Sequence, residues 1–531
     1  MERLGCMHSK DIADTGITLL KKGKQGLVHA LFGRVGLLIL SMILQGVLLF
    51  GAFYWFEDNI PVYLGGSVLF TIGILLYLIN SKMDASAKIT WLIIIMVLPV
   101  FGCLFYLWTQ SEWGHKTLKA LVERSNQHSR DLIKQNDSLM EQLAQEDPGA
   151  AGLAKYIASC GSFPIYQNTA VTYFPLGEHK WEAMLEQIAQ AKHFIYLEYF
   201  IVNEGLMWGK VLEVLAKKAQ EGVDVRLMYD GTCELTTLPF DYPAKIQALG
   251  IQCKMFSPIA PIISTHYNYR DHRKILVIDG HTAFTGGVNL ADEYINHIDR
   301  FGHWKDTAIM LQGEAAESFT LMFLQMWNVD EKTPVFPEVI PKISASSPGS
   351  GYVIPYSDCP LDDNKLGEMV YIDLLNRATS YVHIMTPYLI LDGEMETALK
   401  FAAQRGVDVE IILPGIPDKQ IPFALAKTHY KSLLSAGVKI YEYTPGFVHG
   451  KVFVCDDTEA VVGTINLDYR SLYHHFECAA YLWKTDCIGD IERDFQITRN
   501  KCTPVTQKTI KEEKLSVKLT GYLAKVIAPL L

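Results

Sequence analysis

One string of polar residues occurs twice in this chain and constrains its fold more than any other feature. His272, Lys274, Asp279, Gly286 and Asn289 in HRKILVIDGHTAFTGGVN follow the spacing His-x-Lys, four residues, Asp, six residues, Gly-x-x-Asn. His449, Lys451, Asp456, Gly463 and Asn466 in HGKVFVCDDTEAVVGTIN repeat it. In a strand, residues i and i+2 share a face, so each imidazole is expected beside its ammonium. The apolar runs that follow, Ile275 to Ile278 and Val452 to Cys455, are each long enough for one buried strand and stop at an acidic turn residue. A second apolar run, Thr282 to Phe284 and Ala460 to Val462, delivers a glycine-containing turn and an Asn, a combination that lets backbone and amide approach an anionic oxygen. Two copies in one chain predict a site assembled from two halves.

The duplication extends beyond the motif. A helix around Trp181 to Ala191, the strand FIYLEYFIV, a helix around Gly209 to Gln220 and the strand VDVRLMYDG are matched by Leu366 to Ala378, YVHIMTPYLIL, Glu394 to Gln404 and VDVEIILPG. Gly222-Val-Asp-Val and Gly406-Val-Asp-Val are the clearest echo. Strand and helix in alternation predict an α/β fold, with a mainly parallel sheet covered by helices in each half. The expected halves, 151–344 and 345–505, pair about a pseudo-twofold axis with both His-x-Lys strands at the seam, and Ser344 to Gly351 reads as the hinge.

Facing copies would supply two imidazoles, two ammonium groups and two amides, a set suited to a phosphodiester. One neutral His can attack phosphorus while the other, protonated, gives its proton to the leaving alkoxide. Lys274 and Lys451, with Asn289 and Asn466, would hold the non-bridging oxygens. The arrangement requires no metal and no cofactor.

The paired motifs resemble the HKD motifs of the phospholipase D superfamily. The flanks PGFVHGKVFVCDDTEAVVGTINLDYRSLYHHFE and HYNYRDHRKILVIDGHTAFTGGVNLADEY are similar to the bacterial cardiolipin synthase family, over a range from about Val35 to the C-terminus. The resemblance implies conversion of two phosphatidylglycerol molecules into cardiolipin and glycerol, with His272 as nucleophile and His449 as acid and then base. It makes Asp306 and Glu477 the carboxylates that orient the histidines. Thr464 stands where many members carry Ser, and its hydroxyl keeps the hydrogen-bonding role at the phosphate. Asp279 and Asp456 are carried as site residues, with bracing of the turn as the alternative. Phospholipase D hydrolysis, transfer to another alcohol and a non-catalytic lipid-binding scaffold are the rival readings.

Hydrophobic residues make up 49% of the 531, and they concentrate near the N-terminus. After a polar segment, 1–34, the stretches 35–56, 61–80 and 89–108 each approach the length of a bilayer-spanning helix, so 35–109 reads as membrane segments of a multi-pass cell-membrane protein. Pro99 and Gly102 could mark a kink or a re-entrant stretch in the third. Lys21, Lys22, Lys24 and Arg34 place the N-terminus in the cytoplasm, and three full crossings would put the large domain outside; the basic residues from Lys116 to Lys134 and a substrate made on the cytoplasmic face favour inside. Residues 110–150 read as a helical linker and 506–531 as an amphipathic segment, suited either to a membrane surface or to packing on the domain.

A net charge of −10 weighs against nucleic acid as a partner, leaving an anionic phospholipid and the membrane; a homo-oligomer is compatible with the sequence. The ten cysteines form no Cys-x-x-Cys pair, and no zinc-ligand spacing is present. Adjacent His474 and His475 are expected on opposite strand faces and exposed to solvent. Tyr199, Tyr388, Tyr469 and Arg470 are candidates for the lipid-facing mouth of the site.

Overall fold

The structure, a computed structural model, describes residues 34–59, 66–110, 113–239, 241–258, 268–336 and 349–530. The described residues fall into two compact units, one within 119–257 and 269–521 and the other within 34–118 and 522–530.

The larger unit contains both halves of the repeat. The first contributes β1 (Thr169–Phe174), β2 (Phe194–Tyr199), β3 (Asp224–Asp230), β4 (Gln252–Phe256), β5 (Arg270–Asp271), β6 (Lys274–Ile278), β7 (Thr282–Gly286), β8 (His303–Lys305) and β9 (Ala308–Gly313). The second contributes β10 (Tyr352–Asp358), β11 (Tyr381–Met385), β12 (Asp408–Pro414), β13 (Lys439–Tyr443), β14 (Gly446–Val448), β15 (Val452–Cys455), β16 (Glu459–Gly463), β17 (His475–Trp483) and β18 (Cys502–Pro504). One sheet runs β1-β9-β7-β6-β2-β3-β4 and the other β10-β17-β16-β15-β11-β12-β13-β18.

Each sheet is mixed, which corrects the expectation of mainly parallel pairing. Within the two strand orders just given, only β2-β3-β4 and β11-β12-β13 run parallel, joined by crossover helices such as Leu206–Gln220 and Gly393–Gln404. Gly222 and Gly406, at φ 91° and 95°, end those helices in the left-handed conformation that glycine adopts freely, which explains the repeated Gly-Val-Asp-Val. The motif strands are instead joined by short hairpin loops, and so short a loop permits only antiparallel pairing. Both loops put two successive residues at positive φ, Asp279 and Gly280 (52° and 67°) and Asp456 and Asp457 (51° and 55°).

Two short ladders cross the seam between the halves. β5 pairs in parallel with the start of β17, and β14 pairs in parallel with β8. The backbone leading into each motif His therefore lies beside the strand that contains the other half's carboxylate, Glu477 in β17, or leads directly into it, Asp306 after β8. The Ser344 to Gly351 hinge falls largely outside the described residues. The stretch read as a linker is helical at Trp113–Ser129 and Asp137–Glu146, and Met140 and Leu143 enter the same core as Tyr352 and Leu374, so its second helix is part of the domain.

The smaller unit contains the helices Arg34–Asn59, Gly66–Asn80, Ala85–Val97 and Pro99–Thr109. The third hydrophobic stretch is thus two helices. Leu98, before Pro99, sits at φ −132° and ψ 74°, outside the helical region as the proline ring requires, and a Cβ on Gly102 would lie 2.9 Å from the Ile95 Cα. Among the described residues no helix is long and apolar enough to cross a membrane. Many apolar side chains here face outward, including Leu44, Leu69, Met96 and Val97.

Candidate active site

Each motif His follows a seam ladder and is pinned by its backbone: His272 N donates to Phe476 O (3.0 Å) and His449 N to Lys305 O (2.7 Å). Both residues are buried. The imidazoles pair across the halves. His272 Nδ1 lies 2.8 and 3.0 Å from the two Glu477 carboxylate oxygens, and His449 Nδ1 lies 2.7 Å from Asp306 Oδ2. Ionised carboxylates on Nδ1 fix the tautomer that leaves Nε2 with its lone pair.

Lys274 and Lys451, both buried, donate to the backbone oxygens of His272 and His449. Burial, with the neighbouring ammonium groups, holds His272 well below the usual histidine value and lowers His449 to about 4. Burial also brings Lys274 down to about 8 and Lys451 to about 7, against the pull of the carboxylates. For Asp306 and Glu477 burial opposes ionisation, but the paired imidazoles outweigh it and hold both carboxyls below their ordinary range.

The two carboxylates are braced differently. Position 287 aligns with position 464, and a Cβ on Gly287 would fall 2.0 Å from Asp306 Oδ1, so only glycine leaves room for that carboxylate. In the other half the Thr464 hydroxyl donates to Glu477 Oε2, and Cys478 N donates back to it at 3.0 Å. The hydroxyl expected on a phosphate oxygen is engaged by Glu477 instead.

The aspartates of the motif also lie away from the histidines. Asp279 accepts the backbone N–H groups of Lys192, His193 and Phe194 at 2.7–2.9 Å, and Asp456 those of Thr379, Ser380 and Tyr381 at 2.6–2.9 Å. Asp279 lies seven residue steps of near-extended chain from His272, roughly 20 Å. Asp at this position tolerates positive φ and caps the start of the neighbouring central strand. The reading of both as site residues is therefore corrected to the turn-bracing alternative. Replacing Asp279 by Ala is expected to cost about 1–2 kcal/mol of stability, because Phe194 N is partly buried while Lys192 N and His193 N turn to water. Turnover per folded molecule should stay near wild type, which denaturant unfolding and single-turnover kinetics together would check.

The asparagines differ as well. Asn289 is tied into its own half, accepting from Ile201 N (3.0 Å) and donating to Tyr294 Oη (2.8 Å). Asn466 is buried with its amide oxygen lacking a hydrogen bond among the described residues. Aromatic rings frame the imidazoles, Phe200 edge-on to His272 at 4.9 Å and Tyr294 edge-on to His449 at 5.4 Å. No pattern in the sequence singled these rings out.

Nor did any pattern mark Lys180, which is buried, donates to Tyr199 Oη at 2.8 Å and has its pKa lowered to about 7 by burial, with Asp306 opposing. Tyr199 and Tyr469 are buried, which removes them from the lipid-facing mouth; Tyr388 is half-buried with its hydroxyl on Asp418 (2.7 Å), and Arg470 is exposed. His475 is buried and His474 half-buried, contrary to the expected exposure of both. The described residues contain three groups of His, Asp and Glu compact enough to hold a metal ion, among them His272, His475 and Glu477.

Duplicated mixed α/β halves with two crossed His–carboxylate pairs at their seam define the phospholipase D class. The family model "Cardiolipin synthase, PLD-like domain" matches residues 184–327 and 371–498, and "Phospholipase_D-nuclease N-terminal" matches 69–109. A cardiolipin synthase of Alkalihalophilus pseudofirmus is 31% identical over 93% of this chain and 99% of its own length. One from Geobacillus sp. is 32% identical over 90% and 95%. An uncharacterized protein of Streptococcus mutans is 57% identical over 87% of this chain and all of its own length. Among solved structures, phosphatidylserine synthase of Haemophilus influenzae matches with a TM-score of 0.54 at 15% identity, over 68% of this chain and 95% of that one, a likeness of fold. The chain belongs to the cardiolipin synthase family of phospholipase D-like proteins.

Proposed function

We propose that the chain is a membrane-bound cardiolipin synthase that transfers a phosphatidyl group from one phosphatidylglycerol to another through a phosphohistidine. The observation that carries this reading is the crossed pairing of His272 with Glu477 and His449 with Asp306. His272 Nε2 attacks phosphorus, and a P–N bond forms as the P–O bond to the glycerol head group breaks. The departing alkoxide takes a proton from His449 Nε2, which carries one once the phosphodiester's negative charge has raised its pKa, and glycerol leaves. A hydroxyl of the second phosphatidylglycerol then returns a proton to His449, its oxygen attacks phosphorus and the P–N bond breaks. Cardiolipin departs and His272 regains its lone pair. Lys274, Lys451 and Asn466 hold the non-bridging oxygens, where developing charge is stabilised most in a dry site. Carboxylates on both Nδ1 atoms stabilise each imidazole as it becomes positive.

The outward apolar side chains of the smaller unit, together with a lipid as the substrate, support membrane embedding. This reading takes the first two hydrophobic stretches across the bilayer, the described helices there falling short of that by themselves, and has the third, broken at Leu98-Pro99, re-enter and return to the cytoplasmic side. That path reconciles the lysines on both flanks and gives the catalytic part a cytoplasmic substrate.

Phosphatidylglycerol vesicles incubated with the full chain and EDTA, followed by lipid mass spectrometry, test the activity. Cardiolipin and glycerol are expected; phosphatidic acid as the main product would mean hydrolysis instead. The pH profile gives a further check. With His449 near 4, Lys451 near 7 and Lys274 near 8 in the free site, kcat/KM is expected to decline as pH rises above about 4, because the acid must first take up a proton, and to steepen between 7 and 8 as the lysines lose theirs. The bound phosphodiester anion raises both lysines, so kcat should fall only at higher pH. Parallel limbs in the two parameters would contradict phosphate binding by this pair.

A further inference from the structure

Glu477 faces two imidazoles. Its Oε1 lies 2.8 Å from His272 Nδ1 and 3.5 Å from His475 Nδ1, while Oε2 is held by the Thr464 hydroxyl. His475 is buried, its Nδ1 makes no hydrogen bond among the described residues, and nothing in the transfer steps uses it. One donor atom from each of the three residues, a ring nitrogen or a carboxylate oxygen, lies within 4.8 Å of the other two. A tetrahedral zinc ion with its nitrogen and oxygen ligands at 2.0–2.2 Å separates neighbouring donors by about 3.3 Å. The distances to Oε1 bracket that figure.

We infer that His272, His475 and Glu477 form an inhibitory site for a borderline divalent cation of the zinc class. The inference rests on His272 being the attacking group. Two imidazoles and a carboxylate are the donor set that such an ion prefers, and the fourth position is left to water. Magnesium and calcium, which take oxygen ligands in larger number, are not suited to it. Coordination uses the Nδ1 lone pair, so the proton that neutral His272 carries on Nδ1 moves through solvent to Nε2. The imidazole stays neutral, and its Nε2 becomes an N–H that cannot attack phosphorus. Glu477 at the same time loses its hold on the ring. The opposing charge is Lys274, whose ammonium sits on the His272 backbone oxygen. The metal thus closes the site by capturing the face of His272 that the mechanism needs for orientation.

The test uses the full chain in two assays. In the first, Co2+ is added without lipid and the visible band of tetrahedral cobalt is recorded for wild type, His475→Asn and His475→Gln. In the second, cardiolipin synthesis is titrated with Zn2+ and with Mg2+ at matched free concentrations, so that binding of cations to anionic vesicles is controlled. Expected are a cobalt band in the wild type that both variants lose, and half-inhibition by Zn2+ shifted at least about tenfold upward in the variants, with Mg2+ inert. Equal zinc sensitivity in wild type and variants, inhibition by Mg2+ as strong as by Zn2+, or absence of the cobalt band would overturn the inference. Cobalt binding requires no substrate, so it decides the site even if the chain proves to make no cardiolipin.

Discussion

Replacing His272 by Ala is expected to lower cardiolipin synthesis on the order of 10⁴-fold or more, and replacing His449 by Ala to do the same with phosphatidylglycerol as donor. The two losses have different causes, and a donor whose leaving group needs no proton separates them. On a phosphatidyl nitrophenyl ester, His449→Ala should still release nitrophenol once per active site, because only the acid is missing. His272→Ala should release none, because the attacking nitrogen is missing. The opposite pattern would exchange the two roles. Both variants should fold, since each truncation leaves the seam ladders in place, and circular dichroism would confirm it.

The second large effect concerns the carboxylates. Glu477→Gln keeps the shape but not the charge, and the amide can present its N–H to His272 Nδ1. That forces the proton onto Nε2, where the lone pair is needed. A neutral partner at the equivalent place in a Ser-His-Asp site lowers turnover by about 10⁴-fold, and a loss of at least 10³-fold is expected here. Because the pairs are crossed, Glu477→Gln should behave as a defect in attack by His272, and Asp306→Asn as a defect in proton transfer by His449. With the nitrophenyl donor, Glu477→Gln should therefore stay slow while Asp306→Asn recovers a burst. If each carboxylate instead affected the His of its own half, the seam geometry would be wrong.

Much of this site could be read from the sequence, for a physical reason. The period of a strand puts His and Lys on one face wherever the spacing is His-x-Lys, and duplication of the spacing implies two facing copies. The partners of those groups were legible only in part. Asp306 and Glu477 stand out as acidic residues before apolar strands, but which His each one serves depends on the β5–β17 and β8–β14 ladders, which join residues far apart in sequence. Spacing alone leaves open whether Asp279 and Asp456 join the site or brace the turn, because it does not reveal that a hairpin carries the Asp to the far end of the strand, where three backbone N–H groups await it. The mixed sheet was missed for the same reason, since strand–helix alternation governs only β2 to β4 and β11 to β13, while the motif strands obey hairpin geometry. Alternation tells which residues share a face but not whether the opposite face is covered, and here Phe200 and His272 of the other half pack against His475. Pro99, by contrast, was a direct signal, and the chain breaks at Leu98 before it.

The covalent step is tested most directly by mass spectrometry of His449→Ala protein quenched in alkali after mixing with the phosphatidyl nitrophenyl ester. Without a base to activate the second lipid, the intermediate should accumulate, and the peptide containing His272 should carry a phosphatidyl group in proportion to the nitrophenol released. Nitrophenol released with no adduct on that peptide, or an adduct on another residue, would contradict transfer through His272.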